Sequence, residues 1–256
     1  MHARDVLLGS LIERSARASA QTQLLSGITA DFLEQIFYAD RLAPGNRGSN
    51  GSARPGKMAK IAKLIEDRII GGKIIIEHSA ILNQPIIKYQ PKGWKKNTLP
   101  LPSTSAMVTE LAALVIFLRY GIEAGDVLIF EEPEAGLHPA KQPELMQVLA
   151  AIVNAGVKVV MTTHSDWIME KLANVILNGD KPDKLPAQNR FALGEDQVGA
   201  WLFKNKGQKG TIVAEIPFEE HGLYETGYRE VSSQLYNEWR PLSERRQEKS
   251  VQAFSK

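Results

Sequence analysis

Three short stretches hold the residues whose types and spacing could do chemistry. The first is VLIFEEPEAGLHP, Val127 to Pro139. Its four apolar residues read as a buried strand that ends directly in Glu131 and Glu132. Carboxylates at the C-terminal end of a strand stand where open α/β sheets place their ligands. One of them can join the oxygen shell of Mg²⁺, a hard cation. The next can polarise the attacking water in phosphoryl transfer. The second stretch is VKVVMTTHSD, Val157 to Asp166, another apolar strand that ends in hydroxyl residues and His164. From there His164 can reach a phosphate or orient a water. The third is STSAMVTEL, Ser103 to Leu111, with hydroxyl residues set directly before a helix. The free N–H groups and positive dipole end of a helix N-terminus suit a phosphate. Each stretch also has a plainer reading. The first can be a strand running into an acidic surface turn. In the second, Ser165 can be an N-cap with His164 merely exposed beside it, and the third can be ordinary capping.

The elements around these stretches alternate. The pattern predicts a helix over 105–119, a strand over 127–130 and a helix over 140–154. A strand over 157–161, a helix over 165–173 and the start of another strand at Asn174 to Leu177 follow. Such alternation implies right-handed crossovers and an α/β fold with a mainly parallel sheet and flanking helices. Upstream, residues 3–40 read as helix. Residues 42–57 form a Gly/Pro/Ser/Asn loop, and from Arg41 to Lys60 the chain is basic with no acid. Helix resumes over 58–69. KIIIE and PIIKY, at Lys73 to Glu77 and Pro85 to Tyr89, suggest a small antiparallel β element, with a loop over 91–100. Downstream, two strands, Gly199 to Phe203 and Thr211 to Ile216, flank the turn-like NKGQKG. Residues 225–239 read as helix, and the tail from Pro241 is charged.

Composition removes several classes of function. Without cysteine the chain has no thiolate zinc site, iron–sulfur cluster or cysteine nucleophile, and it is compatible with a reducing cytoplasm. The longest apolar run, Leu111 to Leu118, is too short to span a bilayer, and the first residues make a poor secretion signal. The expected location is cytoplasmic, with no membrane partner. A net charge of +2 gives no global case for nucleic acid, so any such case rests on local patches.

Taken together, EEPEAGLHP followed by TTHSD, with a serine-led helix before both, resembles the C-terminal lobe of an ABC-type ATPase head. The resemblance is to the RecF, SMC and OLD-like group, often described as AAA-family ATPases. It covers residues 60–239 in architecture and 99–170 in motifs. It implies a P-loop NTPase fold that binds ATP and Mg²⁺. It also implies that Glu131 holds the Walker B metal-shell position, that Glu132 is the catalytic base and that His164 is the γ-phosphate sensor. Ala135 to Pro139 would be the D-loop. Ser105, with Ser103 next, would be the signature serine, although the helix lacks both glycines of the LSGGQ pattern. Such heads dimerise, so the implied partner is a second copy or a related ATPase subunit through the head-to-head face. DNA is a further candidate partner by the same analogy.

A head of this kind also needs a phosphate loop, G-x-x-x-x-G-K-[ST], after a strand. GSARPGKM, Gly51 to Met58, matches its glycines and Lys57. It has Met58 where a hydroxyl should meet Mg²⁺, Pro55 where an N–H donor is wanted, and no strand before it. The expected organisation is therefore a remnant of a helical insertion with a basic loop over 1–60, the C-terminal lobe of a head over 61–240, and a charged tail over 241–256. The resemblance implies an ATP-hydrolysing head engaged in DNA-linked or antiphage work, here without its phosphate-loop half and inactive as an isolated chain. The competing reading is a non-catalytic regulatory or scaffold subunit that offers a signature face to a partner ATPase. KYQPKGWKK, Lys88 to Lys96, is a second basic patch with two aromatics. It can contact nucleic acid, or it can be a solvated hairpin edge protected by lysines.

Overall fold

The computed structural model describes residues 56–79, 84–179, 191–219, 222–223 and 231–244. The helix expected over 3–40 and the basic loop up to Pro55 lie outside the described residues. The chain divides into two units, Met1–Leu193 and Gly194–Lys256. The fold is mixed α/β, with one parallel sheet and small antiparallel ones.

The first unit opens with helix α1, Lys57–Leu64, which continues as a π-helical turn over Ile65–Ile70. Ile61, Ala62, Ile65, Ile69 and Ile70 turn inward, while Lys57, Lys60, Lys63 and Asp67 face water. Gly71, at φ 64°, ends the turn in the left-handed region that favours glycine. Strands β1, Gly72–Ser79, and β2, Gln84–Pro91, pair antiparallel with Ile76 opposite Ile87, as their β-branched runs predict. A two-residue β3, Leu99–Pro100, adds to β2.

Helix α2, Ala106–Tyr120, is apolar on almost every side, and Val108, Leu111, Ala112, Leu114, Val115, Ile116 and Leu118 are all buried. It is the central core helix, and α1 packs on it. Its far end is tied down by a buried charge. Glu66 in the π-helical turn is 4% exposed. Its carboxylate accepts the Ile74 N–H at 2.6 Å and pairs with Arg119, which donates to the Ile74 carbonyl at 2.7 Å. One ion pair thus locks the turn, β1 and α2 together. Beside it, burial raises the pKa of Tyr120; Arg119 lowers it and Glu66 raises it further.

β4, Val127–Glu131, and β5, Lys158–Thr162, pair in parallel through helix α3, Gln142–Asn154, with Ile129 opposite Val160 and Glu131 opposite Thr162. Helix α4, Asp166–Gly179, packs on α3. It absorbs the strand expected at Asn174 to Leu177, because Ile168, Leu172, Val175 and Ile176 fall at helical spacing and all are buried.

The strand at 127–130 is not buried as its composition predicted. Val127 is 56% exposed, Ile129 73% and Val160 56%. Parallel strands are normally covered on both faces. Among the described residues of the first unit the sheet has two strands and α3 packs against β5, while Val127, Ile129 and Val160 stay exposed.

In the second unit, β6, Trp201–Asn205, and β7, Thr211–Glu215, form the expected antiparallel hairpin. A two-residue pair, β8, Phe218–Glu219, and β9, Gly222–Leu223, follows, then helix α5 over 231–244. Among the described residues, no helix is long and apolar enough to cross a membrane.

Candidate active site

The parallel pairing of β4 and β5 brings the first two motifs side by side. Register sets Glu131 against Thr162 at the C-terminal ends of both strands. The next residue, Glu132, donates its backbone N–H to the Thr162 carbonyl at 3.0 Å and to its hydroxyl at 3.2 Å. That crossing bends the chain. Among the described residues Glu132 is the one non-glycine at positive φ, 43°. Such a conformation costs about 1–3 kcal/mol and persists only where its surroundings enforce it, often at functional sites. The bend turns the Glu132 side chain toward the end of β5, where its Oε1 lies 3.7 Å from His164 Nε2. His164 is 82% exposed on its side chain and Glu132 45%. Acid and imidazole therefore stand together at an open strand end.

Beneath this pair is a residue to which the sequence reading gave no role. Glu134 is 8% exposed. Its Oε1 accepts the Thr163 hydroxyl at 2.7 Å and the His164 backbone N–H at 2.8 Å, while Oε2 is enclosed with no hydrogen-bond partner among the described residues. Gln142 makes a second clamp. Its amide donates to the Leu137 carbonyl, and its oxygen accepts the Ser165 hydroxyl. Ser165 also caps α4 by accepting the Ile168 N–H at 3.2 Å. Thr162, Glu134 and Gln142 thus fasten the turn after β4 to the turn after β5. The third acid of EEPE and the hydroxyls before His164 were the available signals for this.

The turn Ala135 to Pro139 reaches the start of α2. Gly136, at φ 77°, lies so close to Ala106 that a Cβ there would stand 3.2 Å from the alanine's own. Ser105 is the N-cap of α2, its hydroxyl accepting the Val108 N–H at 3.5 Å. Ser103 ends the 3₁₀ turn Leu101–Ser103, and both serines are exposed. The serine-bearing end of α2 and the D-loop-like turn are therefore neighbours.

The donor set suits magnesium. Glu131, exposed at the end of β4, offers carboxylate oxygens, and among the described residues no three His, Asp or Glu gather into a cage. Mg²⁺ is usually held by one or two carboxylates together with waters and substrate phosphates. Of the loop-like GSARPGKM, Lys57 opens α1 and Gly56 precedes it as the N-cap, without a side-chain cap. Gly51 to Pro55 lie outside the described residues.

A family model described as an AAA domain, putative AbiEii toxin, Type IV TA system, matches residues 98–170. That span includes the serines, both carboxylates and His164. No curated protein matches the sequence. Among solved structures, one from work on ATP-driven dimerization and DNA-stimulated activation of SMC ATPases is 11% identical. It covers 70% of this chain and 91% of its own, with a TM-score of 0.45. An Smc head with an extended coiled coil, bound to the C-terminal domain of ScpA from Pyrococcus furiosus, is 15% identical. It covers 45% of this chain and 30% of its own, with a TM-score of 0.34. An SmcHead bound to the C-winged helix domain of ScpA is 16% identical, covering 57% and 48%, at a TM-score of 0.39. This chain spans less than half the length of the last two. In the segment that carries its carboxylates, histidine and serines, the chain is similar to this AAA-domain family.

Proposed function

We propose that this chain is the catalytic lobe of an ATP-hydrolysing head of the SMC, RecF and OLD-like kind, completed by a phosphate-loop half from elsewhere. The observation that carries the reading is the meeting of Glu132 and His164 at the ends of two parallel strands, with Glu132 held at positive φ. In this reading Glu132 takes a proton from the attacking water. His164 donates to the γ-phosphate or the water from the facing strand end. Glu131 would hold Mg²⁺, and the exposed serines at the start of α2 would meet the nucleotide of a partner head. ATP brings the phosphoryl group and Mg²⁺ neutralises its charge. The lobe itself orients the water and holds the base.

The exposed apolar residues of β4 and β5 support the missing half. Val127, Ile129 and Val160 are apolar, exposed and on one side of a parallel sheet. A lobe that adds strands and a covering layer there would give this sheet the two-sided burial parallel sheets require. DNA-linked or antiphage work, a cytoplasmic location and a dimeric state belong to the same proposal, by the motif resemblance.

The test is Glu132→Gln in the complete head, this lobe joined to its phosphate-loop half. The change keeps shape and removes the base. ATP binding should persist and turnover should fall by about two to four orders of magnitude, the usual contribution of a general base. Near-normal turnover would remove Glu132 from the role. Absence of both nucleotide binding and turnover in the unmodified head would favour the scaffold reading.

A further inference from the structure

From His78 to Thr109 the chain contains no Asp or Glu, yet it carries Lys88, Lys92, Lys95 and Lys96. The structure separates these lysines into two kinds. Lys88 lies within β2 and pairs with Glu77 across the hairpin. Lys92, Lys95 and Lys96 lie in the loop between β2 and β3, past the strand ends, and all three are exposed. They guard no sheet edge, so edge protection does not account for them. The loop has a defined start. Lys92 donates its N–H to the Gly71 carbonyl at 2.9 Å, and Trp94 donates to the Pro91 carbonyl at 3.1 Å.

Trp94 stands among these lysines, 47% exposed. With Lys95, Lys96 and Asn97 it lines a shallow hollow of about 490 Å³. A half-exposed indole in a loop with three exposed lysines and no acid nearby in sequence matches the needs of a single nucleic-acid strand. Lysines neutralise successive phosphates and the aromatic face stacks on a base. The Asn97 amide can both donate to and accept from a base edge. A duplex would satisfy the lysines but hides its base faces from Trp94.

We infer that the loop Lys92–Asn97 is a binding site for single-stranded nucleic acid, with Trp94 as the stacking platform and Lys92, Lys95 and Lys96 on the phosphates. The site stands on its own residues and does not depend on the ATPase reading. The loop runs through β3 and the 3₁₀ turn directly into Ser105 at the cap of α2, so a bound strand would lie one short connection from that end of the helix.

The experiment is a titration of fluorescein-labelled oligothymidylate, about twenty nucleotides long to exceed a typical site, with the whole chain. It is followed by anisotropy over a salt series. Three phosphate contacts on a single strand predict a log–log salt slope of about −2. Replacing Lys92, Lys95 and Lys96 together by Ala should remove most of that slope. Trp94→Ala should weaken binding about five-fold or more with the slope unchanged, and Trp94→Phe should retain most of the affinity. These side chains are exposed, so circular dichroism melts of the variants should overlay the parent. The inference is overturned if the triple-lysine variant binds like the parent. It is also overturned if Trp94→Ala is silent and duplex of equal length binds as tightly, since that is a generic polyanion surface.

Discussion

Glu131 and Glu132 are consecutive, yet the backbone sends them to different surroundings, and the proposed function gives them different tasks. Glu131 completes β4 opposite Thr162, whereas Glu132 leaves the strand at positive φ and turns to His164. The division can be read through magnesium. Glu131→Ala removes a metal-shell oxygen, so in a complete head it should weaken nucleotide binding in a Mg²⁺-dependent way. Glu132→Gln leaves a neutral isostere and should not. Nucleotide titrations across a magnesium series check this, and equal dependence in the two variants would erase the distinction. Glu134 acts differently, by accepting the Thr163 hydroxyl and the His164 backbone N–H. Glu134→Ala leaves two part-buried donors without their acceptor, a loss of about 1–3 kcal/mol, the scale of one fully buried unpaired group. Urea unfolding should show a loss in that range, and Glu134→Gln, which keeps an accepting oxygen, should recover most of it.

At the scale of elements, the Glu66–Arg119 pair sets where α2 lies. Removing one partner of a buried ion pair typically costs about 3–5 kcal/mol, because the other charge stays buried and unpaired. Arg119→Met should show that loss in urea unfolding, and adding Glu66→Gln should restore part of it. A loss below about 1 kcal/mol, the scale of an exposed pair, would mean the pair does not hold the helix. This is also the scale at which the sequence was most legible. KIIIE and PIIKY gave the hairpin, and the apolar runs at Val127 and Val157 gave two parallel strands. The serine before Ala106 gave the cap of α2. The π-helical turn at Ile65–Ile70 was not legible, because its residues keep ordinary helical spacing and the extra residue per turn leaves no compositional mark. The strand expected at Asn174 to Leu177 failed because a short apolar run cannot by itself tell a strand from the last turns of a buried helix. The serines, carboxylates and His164 were legible as types at strand and helix ends. The clamps by Glu134 and Gln142 were not, because they depend on which turns the parallel register brings together.

At the scale of the whole molecule, the exposure of Val127, Ile129 and Val160 on the parallel sheet is the feature that composition concealed. An apolar run predicts burial without saying what supplies the covering layer. Ile129 makes the point testable. In the chain alone it is an exposed side chain, so Ile129→Thr should change stability by no more than about 0.5 kcal/mol. In the proposed complete head it faces the added lobe, so the same change should weaken assembly with the phosphate-loop half. A large loss of stability in the chain alone would show that the face is already covered.

The most direct measurement of the central claim is an ATP titration of this chain by calorimetry, with phosphate release followed in parallel and Lys57→Ala as the comparison. Most nucleotide affinity in a phosphate-loop ATPase comes from the N–H cradle, the loop lysine and the hydroxyl on Mg²⁺. Gly51 to Met58 offers Pro55 in place of one donor and Met58 in place of the hydroxyl. The account predicts no saturable micromolar binding and no appreciable hydrolysis by the chain alone, with Lys57→Ala indistinguishable from the parent. Micromolar binding that disappears in Lys57→Ala would contradict it, and would make Gly51 to Met58 a working phosphate loop at the centre of the active site.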